Sequence, residues 1–306
     1  LASGSAKAVI AAFGANLGIA AAKFGGAFFT GSSAMLAEGV HSLVDTGNQL
    51  LLLVGMKRAQ RPADARHPFG HSREIYFWSF VVAVLLFTAG GTFAIYEGID
   101  KLRSPHPIER PFVNLVILGI ATLLEAGSFA VALKEFRKGA GRRGWWTAVR
   151  EAKDPVLFTV LFEDTAAILG LLVALAGLTA AWLLDMPALD GAASIVIGAI
   201  LIAASLLLAR ETKSLLVGEA AAPEVIAEIE RLIRAEPAVC GVEDISSVHL
   251  GPEDIVVTAS VDFRDEVPAG EVERIVAAIG ERVRSSQPAV KRLFLAPTSF
   301  GRQGPA

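Results

Sequence analysis

A chain of 306 residues is long enough for two domains, and 53% apolar against 19% charged residues is the composition of a membrane protein. The formal net charge of −3 selects no partner, and Arg and Lys are not gathered into the patch that nucleic-acid binding requires. Cys240 is the only cysteine, which rules out an intrachain disulfide and a cysteine-rich zinc site. Apolar residues thin out after about residue 217, so the expected division is a membrane domain over 1–212 and a second domain over 213–306. The chain opens at Leu1 with neither an initiating Met nor a cleavable signal pattern, which suggests a trimmed N-terminus.

Six apolar runs of helix length follow in order. The first covers about residues 6–29; Gly14, Gly18 and Ala22, four apart, predict a packing seam, and Lys23 lies near its outer end. After the turn at Thr30-Gly31-Ser32, the second run covers about 33–56 and carries a polar stripe. Glu38, His41, Asp45 and Asn48 are spaced 3, 4 and 3 apart, so they share one helical face. A histidine and a carboxylate at i and i+4 can both reach one metal ion, with ligand chemistry suited to zinc. At 1.5 Å per residue this pair lies roughly 12–18 Å deep, near the bilayer midplane. Each ionisable group there costs roughly 2.5–3.5 kcal/mol, so such a line faces a pathway or bonds between helices, and the stripe by itself allows either.

The basic, proline-broken loop from Lys57 to His71 holds Asp64, His67 and His71 within eight residues. Two imidazoles and a carboxylate at that spacing fit a metal site, and interfacial histidines are the other reading. The third run, about 74–100, ends in Glu97 and Asp100, and His106 follows between two prolines as a solvated loop residue. The fourth, about 112–134, contains Glu125, which lines a pathway or bonds across helices. A basic connection from Lys134 to Lys153 carries Trp145 and Trp146, suited to an interfacial belt. Asp154-Pro155 starts the fifth run, about 155–182. Asp164 lies about 13 Å inside it, at the depth of Asp45 approached from the other side. Glu163 is turned about 100° away, so Asp164 reads as the ligand and Glu163 as a supporting or packing group. The sixth run is about 189–210. Basic residues in the 57–73 and 134–153 connections, with Arg210 and Lys213, put both termini in the cytoplasm.

The remainder reads as a soluble α+β unit. Val225, Ile226, Ile229, Leu232 and Ile233 predict an amphipathic helix, and Val272, Ile275, Val276, Ile279 and Val283 a second. Val242–Leu250, Ile255–Phe263 and Val290–Leu295 read as strands; Val257, Ala259, Val261 and Phe263 alternate with polar residues, so one face is buried. The order αββαβ suggests a small ferredoxin-like sandwich, with a loose tail after Pro297.

These features converge on a resemblance. His41-x-x-x-Asp45, the Asp64/His67/Phe69-Gly70-His71 loop and the acidic fifth run make the chain similar, over nearly all its length, to the cation diffusion facilitator family. The resemblance implies a homodimeric, proton-coupled exporter of divalent transition metals, mostly zinc, with two ligands from the second span and two from the fifth. Carried over, those positions are His41, Asp45, Val160 and Asp164. Val160 cannot bind a metal, which leaves water, Asn48 or Glu163 for the fourth place. The Glu163-Asp164 pair is similar to a divergent branch that includes a mitochondrial zinc transporter. One imidazole and two carboxylates also accept iron, manganese or cobalt. His249 is the only tail histidine, so the tail reads as a dimerisation module without the family's binuclear site. Arg73 resembles a position that pairs with an acid beyond the sixth span, here Glu211 or Glu219.

The expectation is thus an α-helical integral membrane protein with six transmembrane helices and a cytoplasmic ferredoxin-like domain, in a bacterial inner (plasma) membrane. Its partners are the lipid bilayer, a second copy and divalent metal ions, with protons as counter-ion. Lys23, Glu38 and Glu97 are expected to form an outer polar cluster. The rivals are a transporter of another solute and a membrane metal sensor that does not transport. An enzyme is the weakest rival, for want of a nucleophile–base set in the soluble part, a Gly-rich phosphate loop or a cysteine at a plausible site.

Overall fold

The structure is a computed structural model that describes residues 3–30, 33–105, 110–140 and 153–299, without the side chains of 3, 27, 30, 33–41, 139 and 140. The side chains of Glu38 and His41, and all of His106, Trp145 and Trp146, lie outside the described residues. The chain forms two compact units: Leu1–Arg61 with Glu74–Lys213, and Pro62–Arg73 with Ser214–Ala306.

The first unit is helical: α1 (Ser3–Thr30), α2 (Ser33–Ala59), α3 (Glu74–Leu85), a π-helical stretch (Leu86–Thr92), α4 (Phe93–Arg103), α5 (Pro111–Ala140), α6 (Pro155–Leu183) and α7 (Ala188–Val217). Among the described residues, five stretches are long and apolar enough to cross a membrane: Gly4–Gly26, Glu74–Arg103, Pro111–Lys138, Pro155–Leu183 and Ala188–Val217. α1 packs along α2 and α5, α5 along α6, and α2 along α3.

The π-helical stretch was not legible in the hydrophobic pattern. Gly90-Gly91 lowers the barrier to a wider turn, and two hydroxyls support it. Thr88 Oγ1 donates to Val84 O at 2.9 Å, and Thr92 Oγ1 to Phe87 O at 3.1 Å.

The packing seam is also not where the small-residue spacing put it. A Cβ on Gly14 would meet nothing within 4 Å, and one on Gly18 only a leucine methyl at 3.4 Å. Instead, Gly91 and Gly98 oppose Gly198 and Gly191 of α7. A Cβ on Gly98 would lie 2.7 Å from Gly191 O, and one on Gly198 2.8 Å from Gly91 O. Backbone lies on backbone at both levels, an approach that only glycine permits. At the end of this seam Lys101 Nζ pairs with Glu97 Oε1 and with Asp190 Oδ2, both at 3.1 Å. Glu97 is therefore committed to this triad.

α6 begins as its sequence predicts. The Asp154 carboxylate accepts from Val156 N at 3.1 Å and Leu157 N at 3.3 Å, with Pro155 at the first helical position. Ser5 of α1 donates to the same carboxylate. Burial pushes the Asp154 carboxyl up, against the opposing effect of the Ser5, Leu157 and Val156 bonds. A raised carboxyl contributes stability that is present at low pH and lost as pH rises through its folded value. Asn caps a helix as well as Asp does. Asp154→Asn is therefore expected to melt higher than wild type at pH 7, with the difference gone by about pH 4, where unfolded Asp also protonates. Coincident melting curves at pH 7 would show that this carboxyl carries no such cost.

The second unit holds α8 (Pro223–Arg234), β1 (Val239–Gly251), β2 (Asp254–Phe263), α9 (Ala269–Ser286) and β3 (Val290–Pro297). The sheet order is β1-β2-β3; β1 and β2 are antiparallel, joined by the tight turn that closes Gly251 on Asp254, and β2 and β3 are parallel across α9. The alternation in β2 is realised: Val257, Ala259 and Val261 pack with Ile229 and Ile233 of α8 and Ile279 and Val283 of α9. Thr258, between them, is exposed.

Candidate functional site

The first unit holds buried ionisable groups. Glu125, Glu163, Asp164 and Lys23 are 5%, 8%, 2% and 6% exposed. Consecutive residues of α6 project about 100° apart, and here that angle sends the two acids to different helices. Asp164 accepts from Ser128 Oγ of α5 at 2.8 Å. Glu163 accepts from Asn48 Nδ2 at 3.2 Å and from Gln49 Nε2 at 3.0 Å, both on α2. Gln49 Oε1 in turn accepts from Asn16 Nδ2 of α1 at 3.3 Å. A line of side-chain amides thus ties α1 and α2 to one carboxylate of α6.

Asp45 is half-buried on α2, one turn before Gln49. It lies within electrostatic reach of Glu163 and of Glu125, and Glu125 also feels Asp164 and Lys23. Lys23 Nζ donates to Ser42 Oγ of α2 at 2.9 Å. Four carboxylates and one lysine therefore share a low-dielectric interior. Carboxylates so enclosed are costly unless a cation, a proton or hydrogen-bond donors compensate them, and here Asn48, Gln49, Ser128 and Lys23 supply part of that compensation.

Asn48 is itself only partly satisfied. Its Nδ2 is committed to Glu163, but its Oδ1 is buried without a hydrogen-bond partner, as are Thr159 Oγ1 and Ser79 Oγ. An orphaned buried acceptor costs about 1–3 kcal/mol unless a cation or a donor meets it. Val160, one turn before Asp164, is fully buried and apolar. Asp45, Glu163 and Asp164 do not bring three ligand atoms within 4.8 Å of one another, and His41 lies outside the described side chains. Sequence reasoning singled out Asp45, Asn48, Glu125, Glu163 and Asp164 and noted Asn16 and Lys23 as the polar groups of the first run, but it gave Ser128 and Gln49 no role and Asn16 no partner. Gln49 was within reach, because it lies four residues beyond Asp45 on the same face.

A second cluster lies in the other unit. Asp64, His67 and His71 bring their ligand atoms within 4.8 Å of one another, the one such group among the described residues. Asp64 Oδ1 lies 3.2 Å from His67 Nδ1, and Oδ2 3.0 Å from His71 Nε2. The imidazole centroids are 4.2 Å apart. The loop makes this geometry itself. Asp64 Oδ1 accepts from the backbone N–H of Arg66 at 2.8 Å and of His67 at 2.7 Å. His67-Pro68-Phe69-Gly70 forms a β-turn closed by Gly70 N to His67 O at 2.9 Å, and Gly70 takes a φ of 86°, which favours glycine. The His67 backbone N–H, then the His71 ring, hold the Asp64 carboxyl well below the usual carboxylate range, so it stays ionised. Ligand atoms around a tetrahedral zinc with bonds of about 2.0–2.1 Å lie roughly 3.3 Å apart. The two Asp64 separations run to different oxygens and are hydrogen-bond distances, so one carboxylate oxygen shared with both rings requires a small turn of these side chains. The donor set fits a divalent transition metal with one coordination place open.

Other expected residues fall elsewhere. His249 is buried, with Nδ1 3.2 Å from Gly251 O. Arg73 lies against Gly218, its Nη2 3.8 Å from where a Cβ would be.

Residues 9–217 match the model of the cation efflux transmembrane domain. The chain is 31% identical over 265 residues to metal tolerance protein C4 of Arabidopsis thaliana, covering 86% of this chain and 58% of that protein. It is 32% identical over 247 residues to the mitochondrial proton-coupled zinc antiporter SLC30A9 of Homo sapiens, covering 80% of this chain and 44% of that one. To the zinc transporter ZitB of Escherichia coli it is 33% identical over 105 residues, 34% of this chain and 33% of that one. The chain spans about half the length of the first two relatives.

Proposed function

The chain belongs to the cation diffusion facilitator (cation efflux) family, and from that premise we propose that it exports divalent transition-metal ions, zinc foremost, from the cytoplasm in exchange for protons. The observation that carries this reading is the carboxylate cluster of buried Glu125, Glu163 and Asp164 with half-buried Asp45 beside them, an interior suited to take up positive charge. His41, Asp45 and Asp164 are the proposed ligands. The orphaned Asn48 Oδ1 supports Asn48 in the place that Val160 vacates, with Glu163 fixing the amide from behind. Three oxygens and one imidazole also suit manganese, iron and cobalt, so these are the alternative cargoes.

α2, 27 residues long and packed between α1 and α3, is the proposed sixth span, and the αββαβ unit the proposed ferredoxin-like domain. The functional division we propose is a transport domain over 1–212 and a cytoplasmic domain over 213–306 that joins two copies. Both termini are then cytoplasmic, in an inner or plasma membrane, with the basic connections on that side. The protein acts as a transporter and not as an enzyme.

The energetics favour antiport. Moving a divalent ion outward against 100 mV, inside negative, costs about 4.6 kcal/mol at roughly 2.3 per charge. One or two protons moving inward return half or all of that. Facing the cytoplasm the deprotonated site binds metal; facing outward, protons compete for the same ligands and displace it. Asp64, His67 and His71 form a second, loop metal site. That this loop belongs to the same compact unit as the C-terminal domain also favours a second reading, a metal sensor that does not transport.

The deciding experiment is metal flux into proteoliposomes under an imposed pH gradient, comparing zinc, manganese, iron and cobalt. Uptake of zinc with matching proton counterflow is the expected result. Metal that binds but never moves would replace the exporter by the sensor.

A further inference from the structure

The loop that carries Asp64, His67 and His71 connects α2 to α3, yet Pro62–Arg73 belongs to the compact unit formed by Ser214 onward. Particular contacts hold it there. Arg292, on β3, donates from Nη2 to Phe69 O at 3.3 Å and from Nη1 to Asp254 Oδ1 at 3.3 Å. Its guanidinium also lies 5.2 Å from the centroid of the Phe69 ring. The other oxygen of Asp254 accepts from Ser72 Oγ at 3.0 Å. The backbones are close as well, since a Cβ on Gly251 would lie 2.8 Å from Ser72 Cβ.

These contacts bracket His71. Phe69 lies two residues beyond His67 and two before His71, and Ser72 follows His71 directly. A planar fork that reaches a carbonyl, a carboxylate and an aromatic face at once is specific to Arg; the point charge of Lys cannot replace it.

We propose that Arg292 is a positioning residue for metal bound by Asp64, His67 and His71, so that occupancy of the loop and the fold of the C-terminal unit stabilise each other. The inference rests on the loop-site reading given above. Through Phe69, and through Asp254 of β2 bonded to Ser72, Arg292 fixes the loop on both sides of His71 before metal arrives. Metal binding then spends little on ordering the ligands. By linkage, metal that binds the positioned loop must stabilise the unit that positions it.

The test uses the full chain in detergent, with Co2+ as probe and its visible ligand-field absorption as readout. The loop component is the absorption lost in His71→Ala. In Arg292→Met the Co2+ affinity of that component is expected to fall about tenfold, because binding must then order a loop that Arg292 no longer holds, with an altered spectrum. Arg292→Lys, which keeps the charge, should recover only part of it. Phe69→Leu, which removes the ring from the other side of the clamp, should weaken binding in the same direction. Circular dichroism at the titration temperature checks that each variant is folded, and Phe69→Leu carries the test should Arg292→Met unfold. Affinity and spectrum within twofold of wild type in the folded variants would overturn the positioning role while leaving the loop site intact. If wild type shows no His71-dependent Co2+ absorption, the loop-site reading fails and this inference with it.

Discussion

Asp164→Asn is expected to lower zinc flux at least about a hundredfold, some 2.7 kcal/mol in the transport barrier at 1.36 kcal/mol per decade, while the protein still folds. The substitution isolates the charge. Asp164 is 2% exposed and accepts from Ser128 Oγ at 2.8 Å. The Asn side chain has the same shape, and its Oδ1 can accept the same bond. What disappears is one negative charge and one anionic ligand in a low-dielectric interior, where direct ligands must replace the divalent ion's lost hydration.

Glu163→Gln is the informative contrast. Asn48 and Gln49 both donate to Glu163, so a Gln there turns an amide donor towards one of them. A flip of the Asn48 amide lets its Oδ1 accept from the new Gln, but it withdraws that oxygen from the place proposed for it on the metal, so the variant loses a neutral ligand where Asp164→Asn loses an anionic one. Glu163→Gln should therefore fold and retain more transport than Asp164→Asn. Zinc flux reported by a trapped zinc-sensitive dye decides the pair. Flux in Asp164→Asn within twofold of wild type would remove Asp164 from the ligand set.

The second large effect is expected in the glycine seam. Gly98→Ala puts a Cβ 2.7 Å from Gly191 O and 2.8 Å from Ile195 N. These are backbone atoms of a helix, so no side chain can rotate away and the two helices must part. Overpacking of this kind costs about 1–3 kcal/mol. The Lys101 pairing with Glu97 and Asp190 lies beside this level, so parting the helices also strains that triad. Gly119→Ala is the matched control, because its Cβ would meet nothing within 4 Å. Ala is also the better helix former by about 1 kcal/mol, so this control should be neutral or slightly stabilising. Thermal unfolding in detergent of both variants is the measurement. Equal melting temperatures would mean that the seam tolerates a methyl group and that the helices are not held by backbone contact.

The sequence by itself determined what is local. The helical runs, the Asp154-Pro155 start of α6, the alternation in β2 and the amphipathic helices that cover it all follow from periods and caps a few residues long. The loop trio was legible for the same reason: Asp64, His67 and His71 lie within eight residues, and the turn that gathers them is made of their own backbone and Gly70. Only the tertiary structure decided which buried groups meet. Glu163 finds its amide donors 115 and 114 positions away, and Asp164 its hydroxyl 36 positions away. Small residues four apart on α1 pointed to a seam, but close approach needs a matching surface opposite, and that surface exists between Gly91, Gly98, Gly191 and Gly198. Arg292 and Phe69, 223 positions apart, join the loop to the sheet. Whether a polar side chain is a ligand, a donor or a spacer depends on what faces it, and what faces it is set by the packing of elements distant in the chain.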